Sequence, residues 1–123
     1  MSPEYPYVTR LDVKYNQLEL IDTPAIVRAC TDRWFNQTLA RVNESCVRIG
    51  IVQGEYHWHK HDNDEEFFFV LDGTLYVDLE DRTFELKAGQ GVTMPKGVRH
   101  RTRAPGRTVM LMVENATIQP TGD

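Results

Sequence analysis

From residue 45 onward, short apolar runs alternate with turn signals at intervals of about 8 to 12 residues, which is typical of an all-β sandwich or barrel. The predicted strands cover residues 46–53, 56–60, 66–71, 74–79, 83–86, 92–94, 98–103 and 108–113. The Asp72-Gly73 pair between two apolar runs predicts a tight turn, and so a hairpin of residues 67–71 with 74–79. Residues 104–106 are expected to form a turn as well.

The first 45 residues form a mixed segment that precedes this pattern. Residues 18–21 and 25–27 could add strands, and residues 33–42 could form a short helix. Residues 119–123 have no periodic apolar pattern and are expected to form an exposed or partner-docked strand. A length of 123 residues suits one domain, with an N-terminal arm over 1–45 and a tail over 115–123.

Charge and hydropathy exclude several classes of partner. A formal net charge of −4 disfavours binding to the phosphate backbone of nucleic acids. No stretch approaches the roughly 20 apolar residues of a membrane span, and residues 1–10 lack the features of a signal peptide. We therefore expect a cytoplasmic protein without nucleic-acid or membrane partners. In that compartment Cys30 and Cys46 are expected to be isolated, reduced thiols.

The histidines are concentrated in two places. All four are His57, His59, His61 and His100. Because side chains alternate along a strand, the three histidines spaced by two residues should share one face. Alternate histidines followed by a carboxylate are a metal-like arrangement, although a chance clustering remains the alternative.

Two motifs around these histidines resemble those of a small single-domain cupin. The first motif places a glycine, a His-x-His pair, a glutamate and a second glycine at Gly54, His59, His61, Glu66 and Gly73. The second places a glycine, Pro-x-Gly and a histidine at Gly89, Pro95, Gly97 and His100. Four residues separate Gly54 from His59 where five are usual, and Ala104 replaces the usual final asparagine. The resemblance covers residues 46–114.

The resemblance implies a double-stranded β-helix, the jelly-roll cupin barrel, with His59, His61, Glu66 and His100 as metal ligands. Reading His57-Trp-His59 as the pair, or Glu65 as the glutamate, spoils the motif spacing. His57 and the adjacent Tyr56 could contact a ligand or a substrate, and a packed or solvent-facing His57 is equally open.

Three neutral imidazoles and one carboxylate leave open positions on a six-coordinate ion. We expect one divalent transition metal per chain, which could be iron, manganese, nickel, cobalt, copper or zinc. The chain also resembles a subgroup of cupins described as mannose-6-phosphate-isomerase-like, which describes shape and carries no catalytic set. The leading hypothesis is a metal-dependent enzyme acting on a small polar molecule, with dioxygenase-like chemistry first and isomerase or lyase chemistry as variants. The alternative is a non-catalytic module that uses the metal to orient a small molecule.

Catalytic residues stay unassigned at this point. The candidate acids and bases near the ligands are Tyr56, His57, Tyr76 and Glu114. Residues 67–69 are three phenylalanines, which suit a strand buried on both faces better than an aromatic pocket.

Two features of the outer surface bear on partners. Arg99, Arg101 and Arg103 have the opposite parity to His100, so they should point away from the site, toward solvent or a neighbouring chain, rather than bind an anionic substrate. Trp58 should also face outward, which predicts a cover from the N-terminal segment and a homodimer.

Overall fold

The computed structural model describes residues 5–123; the first four residues of the predicted N-terminal arm lie outside the described residues. In this part of the chain the elements are β1 (Val8–Arg10), α1 (Thr23–Ala29), β2 (Trp34–Val42), β3 (Ser45–Glu55), β4 (Glu66–Asp72), β5 (Thr74–Leu79), β6 (Thr83–Lys87), β7 (Gly91–Met94) and β8 (His100–Asn115).

Strand β8 organises the barrel. It pairs antiparallel with β3 along most of its length, and on its other edge it pairs first with β5 and then with β4. The sheet order is β1-β2-β3-β8-β4-β7, with β5 also paired to β6. Side chains from β2, β3, β4, β5 and β8 meet in a shared apolar core. The predicted all-β jelly-roll barrel is confirmed.

The predicted hairpin of 67–71 with 74–79 is wrong. Strands β4 and β5 each pair with β8 instead, as Phe68 with Met112 and Val77 with Thr102. Gly73 joins them with a φ of 83°, in the left-handed region that glycine tolerates. The glycine therefore links two strands that follow one another along β8.

The predicted turn at 104–106 is also wrong, because 98–103 and 108–113 belong to one strand, β8. Ala104 pairs with Gly54 and Thr108 with Val52, so Pro105 and its neighbours bulge opposite a single residue of β3. Proline and glycine mark a bulge here rather than a strand end.

Two predictions in the N-terminal segment are wrong, because the predicted helix is a strand and one of the predicted strands is a helix. The segment 33–42, predicted as a helix, forms strand β2 from Trp34 onward, because pairing with β3 and burial of most side chains from Trp34 to Leu39 override local propensity. Residues 25–27, predicted as a strand, lie in α1, which begins where the Asp22 carboxylate accepts a hydrogen bond from the Ala25 N–H at 3.2 Å. Residues 18–21 form no strand.

Two segments near the site lack the predicted strands. Residues 56–60 contain only an isolated bridge between His59 and His100. Residues 119–123 form turns rather than a strand. Both segments are held by specific contacts rather than by a sheet ladder.

Neither cysteine forms a disulfide: Cys46 is buried and Cys30 half-buried. Within residues 5–123, no helix combines the length and the apolar character needed to cross a membrane.

Candidate metal centre

Three side chains from separate parts of the chain converge inside one end of the barrel. His59 lies between β3 and β4, Glu66 begins β4 and His100 begins β8. One potential ligand atom from each lies within 4.8 Å of the others. All three residues are buried, with 8%, 5% and 1% of their surface exposed. This spacing suits a single metal ion.

His61 lies beside this group. Its Nε2 atom is 3.7 Å from Glu66 Oε1 and has no hydrogen-bond partner among the described residues. A buried nitrogen of this kind needs a partner, because leaving it unpaired costs free energy. The orphaned Nε2 lies beside the Glu66 carboxylate and has the chemistry of a metal ligand, although His61 is not among the three residues whose ligand atoms all lie within 4.8 Å of one another.

Hydrogen bonds fix the orientation of the three rings. Nδ1 of His59 lies 3.0 Å from the carbonyl oxygen of His57, and Nδ1 of His100 lies 2.9 Å from that of Val98. Nδ1 of His61 lies 2.7 Å from Asp123 Oδ1. Each of these oxygens is an acceptor and so favours the tautomer with the hydrogen on Nδ1, which leaves Nε2 with its lone pair. His100 Nε2 also lies 3.2 Å from Glu66 Oε1, a contact in which one of the two groups holds a proton when no ion is bound. An ion between them would take the place of that proton.

Burial controls protonation in the group. It lowers the pKa of His59 to about 3, against the opposing hydrogen bond to the His57 carbonyl. It also lowers the pKa of His100 below its ordinary value. Both rings are therefore neutral near pH 7, the form that binds metals. Burial raises the pKa of Glu66, so a proton competes with a metal for this carboxylate.

The other residues singled out from the sequence occupy different places. Both ring nitrogens of His57 have partners outside the group, the Thr121 carbonyl oxygen at 2.7 Å and the Tyr7 hydroxyl at 3.4 Å. Glu65 is exposed, as the choice of Glu66 requires. The ring of Tyr76 lies under the Arg103 guanidinium at 4.5 Å and belongs to the outer surface.

A small cavity adjoins the group. It encloses about 20 Å³, room for about one water molecule. The side chains that line it are Trp34, Asn36, Arg48, Tyr56, His59, Glu66, Phe68, Thr102, Met110, Met112, Glu114 and Pro120. Five polar atoms of these residues have no hydrogen-bond partner among the described residues: Trp34 Nε1, Asn36 Oδ1, Arg48 Nη1, the Tyr56 hydroxyl and Glu114 Oε2.

Sequence reasoning missed part of this wall. Trp34 and Asn36 carry no motif and lie in 33–42, which was expected to be helical, so only the strand alternation of β2 could have indicated them. Arg48 lies in β3, where alternation along the predicted strand 46–53 was the available signal. Glu114, named from the sequence, pairs with Arg48 at 3.1 Å between Nε and Oε1. Burial first, and then its hydrogen bond to Glu66, raises the pKa of Glu114 to about 9.

The arginines of β8 point outward, as predicted. Arg101 and Arg103 each donate from Nε to Asp78 Oδ2 at 2.8 Å. Burial raises the pKa of Asp78, but the hydrogen bonds that it accepts, of which the one from Arg103 has the largest effect, outweigh burial and lower the pKa to about 2. The guanidinium groups of Arg99 and Arg101 lie 5.0 Å and 5.2 Å from the Trp58 ring. Arginine side chains thus pack on the Trp58 ring, and a further cover from the N-terminal segment or a second chain stays a prediction.

A jelly-roll barrel that gathers histidines and a glutamate at one end is the architecture of the cupin class. The chain belongs to the cupin family, because the Cupin domain family model matches residues 48–114. It is 42% identical to the uncharacterized protein YdbB of Bacillus subtilis over 92 residues, which are 74% of this chain and 81% of that protein. It is 46% identical to the polyketide synthase CurC of Streptomyces cyaneus over 55 residues, which are 45% of this chain and 36% of that protein.

A solved structure supports the same assignment. The crystal structure of a cupin-2 domain containing protein from Shewanella frigidimarina superposes with a TM-score of 0.74 at 28% identity, covering 78% of this chain and 94% of that one.

Proposed function

We propose that this cupin binds one divalent transition ion through His59, His61, Glu66 and His100 and uses it on a small polar molecule. The observation that carries the proposal is the buried Glu66 carboxylate, which has a ligand atom of His59 and one of His100 within 4.8 Å and His61 Nε2 at 3.7 Å. A bound ion would supply Lewis acidity and open coordination positions that accept water, dioxygen or a chelating substrate. Iron, manganese, nickel, cobalt, copper and zinc all suit this donor set.

The cavity wall supports a polar ligand. Trp34 and Arg48 offer N–H donors, and the Tyr56 hydroxyl can donate or accept a hydrogen bond. Burial raises the pKa of Tyr56 above its ordinary value, so the hydroxyl keeps its proton at neutral pH. A ligand with oxygen acceptors would satisfy these groups, and the apolar side chains of Phe68 and Met110 would exclude bulk water.

The leading reaction class is dioxygenase-like oxidation of a chelating substrate. Catechols and 2-oxo acids can occupy two neighbouring positions on an ion, and thiols bind through a single anionic sulfur. The similarity to a polyketide synthase adds 1,3-dicarbonyl compounds, which polyketide chains contain and which also chelate metals. Isomerase or lyase chemistry would use the same ion as a Lewis acid.

The second candidate is a binding module without turnover. It is favoured by the small size of the cavity and by the engagement of two candidate bases, Glu114 with Arg48 and His57 with the Thr121 carbonyl oxygen. The metal would then orient a ligand for sensing or storage.

The test begins with elemental analysis of protein purified without chelator. Oxygen consumption is then measured with catechols, thiols, 2-oxo acids and 1,3-dicarbonyl compounds. Stoichiometric metal with metal-dependent turnover supports the enzyme. Saturable, metal-dependent calorimetric binding without turnover supports the binding module, and absence of metal from every preparation contradicts both.

Location and assembly form part of the same proposal. A cytoplasmic location is part of the proposal, and the net charge of −4 favours a protein that does not bind nucleic acids. A homodimer is supported by Leu18 and Leu20, whose side chains are 106% and 87% exposed in the isolated chain. Exposed leucines on the N-terminal segment are suited to burial against a second copy.

A further inference from the structure

Residues 119–123, called the strap below, cross the end of the barrel over the histidines. The strap turns on itself, with the Gly122 N–H donating to the Gln119 carbonyl oxygen at 2.9 Å. It is joined to the segment beneath it by two backbone hydrogen bonds. The Asp123 N–H donates to the Lys60 carbonyl oxygen at 3.1 Å, and the Asp62 N–H donates to the Asp123 carbonyl oxygen at 3.0 Å.

Three consecutive strap residues each meet one of the three alternate histidines. The Thr121 carbonyl oxygen lies 2.7 Å from His57 Nε2. Gly122 packs so closely on His59 that an added Cβ would lie 3.1 Å from the His59 Cβ. The third pair is Asp123 with His61, described above. One residue of the strap, Pro120, also lines the cavity beside the candidate metal centre.

The Asp123 contact differs in kind from those of the other two ligand histidines. His59 and His100 are oriented by backbone carbonyl oxygens close in sequence, which no substitution removes. His61 is oriented by a carboxylate 62 residues away. A second hydrogen bond, from the Gln119 N–H to Asp123 Oδ2 at 3.0 Å, holds that carboxylate in place. A carboxylate that accepts from Nδ1 fixes the ring and strengthens Nε2 as a ligand.

We propose that Asp123 is a positioning residue for the metal centre, and that the strap couples closure of the cavity to metal binding. The proposal rests on the proposed function, since it assumes an ion at His61 Nε2. Because coupling is reciprocal, whatever holds the strap down strengthens the metal site, and a bound metal holds the strap down.

The experiment measures the affinity of the full chain for Co²⁺ by competition with a chromophoric chelator. Asp123→Asn keeps the shape of the side chain but weakens its ability to accept from His61, and affinity should fall by roughly 10- to 100-fold. Asp123→Glu restores a carboxylate and should recover part of the loss. Glu65→Gln removes an equal charge from an exposed position near the site and should leave the affinity unchanged.

A second pair of variants moves the strap without touching a carboxylate. Gly122→Ala places a Cβ against His59 at a φ of 117° and should also weaken Co²⁺ binding. Gly89→Ala imposes a similar strain at a φ of 85°, with nothing within 4 Å of the new atom, and should not. Hydrogen exchange adds a direct reading: Co²⁺ should slow exchange of the Asp62 and Asp123 amides in the wild type, and less so in Asp123→Asn.

The outcomes separate the two proposals. Wild-type affinity in Asp123→Asn, in a variant folded by circular dichroism, would overturn the role of Asp123. A wild type that takes up no Co²⁺ would instead overturn the metal centre. In that case ¹⁵N chemical shifts of the His61 ring test the role of Asp123 without a metal. The Nδ1–H tautomer should dominate in the wild type and lose population in Asp123→Asn. An unchanged tautomer population would refute the role of Asp123.

Discussion

His59 and His100 face each other across an isolated antiparallel bridge in which each backbone N–H donates to the other's carbonyl oxygen at 2.9 Å. Their ring centroids are 4.5 Å apart. The bridge ties the segment after β3 to the start of β8, so backbone hydrogen bonds place two imidazoles from distant parts of the chain side by side. An ion that bound between these rings would meet imidazoles already placed by the backbone.

The first prediction concerns the ligand set. The double variant His59→Ala, His61→Ala should lose the one ion per chain that we expect, because two of four donors disappear from a buried site. Elemental analysis of protein purified without chelator measures this. Glu65→Gln, next to the ligand Glu66 but exposed, should retain full metal content. Stoichiometric metal in the double variant would disprove the assignment.

The second prediction is that the metal serves function more than folding. Chelator treatment should leave the far-ultraviolet circular dichroism of a β-protein, because the barrel has a continuous apolar core that includes Val70, Leu75 and Val77, each 0% exposed. The unfolded spectrum expected of a domain that needs its metal to fold would contradict this.

The third prediction uses the pKa of Glu114 in chelator-treated protein. The folded-state value of about 9 lies above the ordinary value of 4.5, so the folded chain binds more protons between these limits. The contribution of Glu114 to the free energy of unfolding is therefore fully present below pH 4.5 and is lost as the pH rises toward 9, by at most about 1.4 kcal/mol per pH unit.

Glu114→Gln mimics the protonated acid and should flatten this decline in urea titrations between pH 5 and pH 9, on a scale of about 1 kcal/mol or more. Exposed Glu65→Gln should leave the slope as it is. An equal slope in wild type and Glu114→Gln would show that Glu114 is ionised throughout this range.

The parts of the site that could be predicted are those whose residues lie close together in the sequence or at fixed motif positions. His59, His61 and Glu66 lie within eight residues, and the cupin resemblance added His100 at a fixed motif position. The contact of Asp123 with His61 spans 62 residues and could not be read from any local pattern. Strand β2 was missed for a related reason: its pairing with β3 outweighs local preferences, and a single sequence does not show that pairing.

The fourth prediction tests the link between β4 and β5. Gly73→Ala should destabilise the fold by about 2 to 5 kcal/mol, because it adds left-handed strain to an overlap in a packed region. The new Cβ would lie 2.7 Å from Thr108 Oγ1 and 2.8 Å from the Arg107 carbonyl oxygen. Gly89→Ala carries similar strain without the overlap and should cost only about 1 to 2 kcal/mol. Equal urea unfolding midpoints for Gly73→Ala and Gly89→Ala would show that contact with β8 does not constrain Gly73.

The last prediction is the homodimer. Sedimentation at micromolar concentration should give about 28 kDa, twice the chain mass of 14.2 kDa. Replacing both Leu18 and Leu20 with serine should shift the protein toward monomer, because the interface would lose two apolar side chains that are almost fully exposed in the isolated chain. Val42→Ser changes a side chain that is 57% exposed at the end of β2 and should leave the dimer intact. A wild-type species near 14 kDa would refute the dimer, and a dimer indifferent to the leucine changes would exclude this segment from the interface.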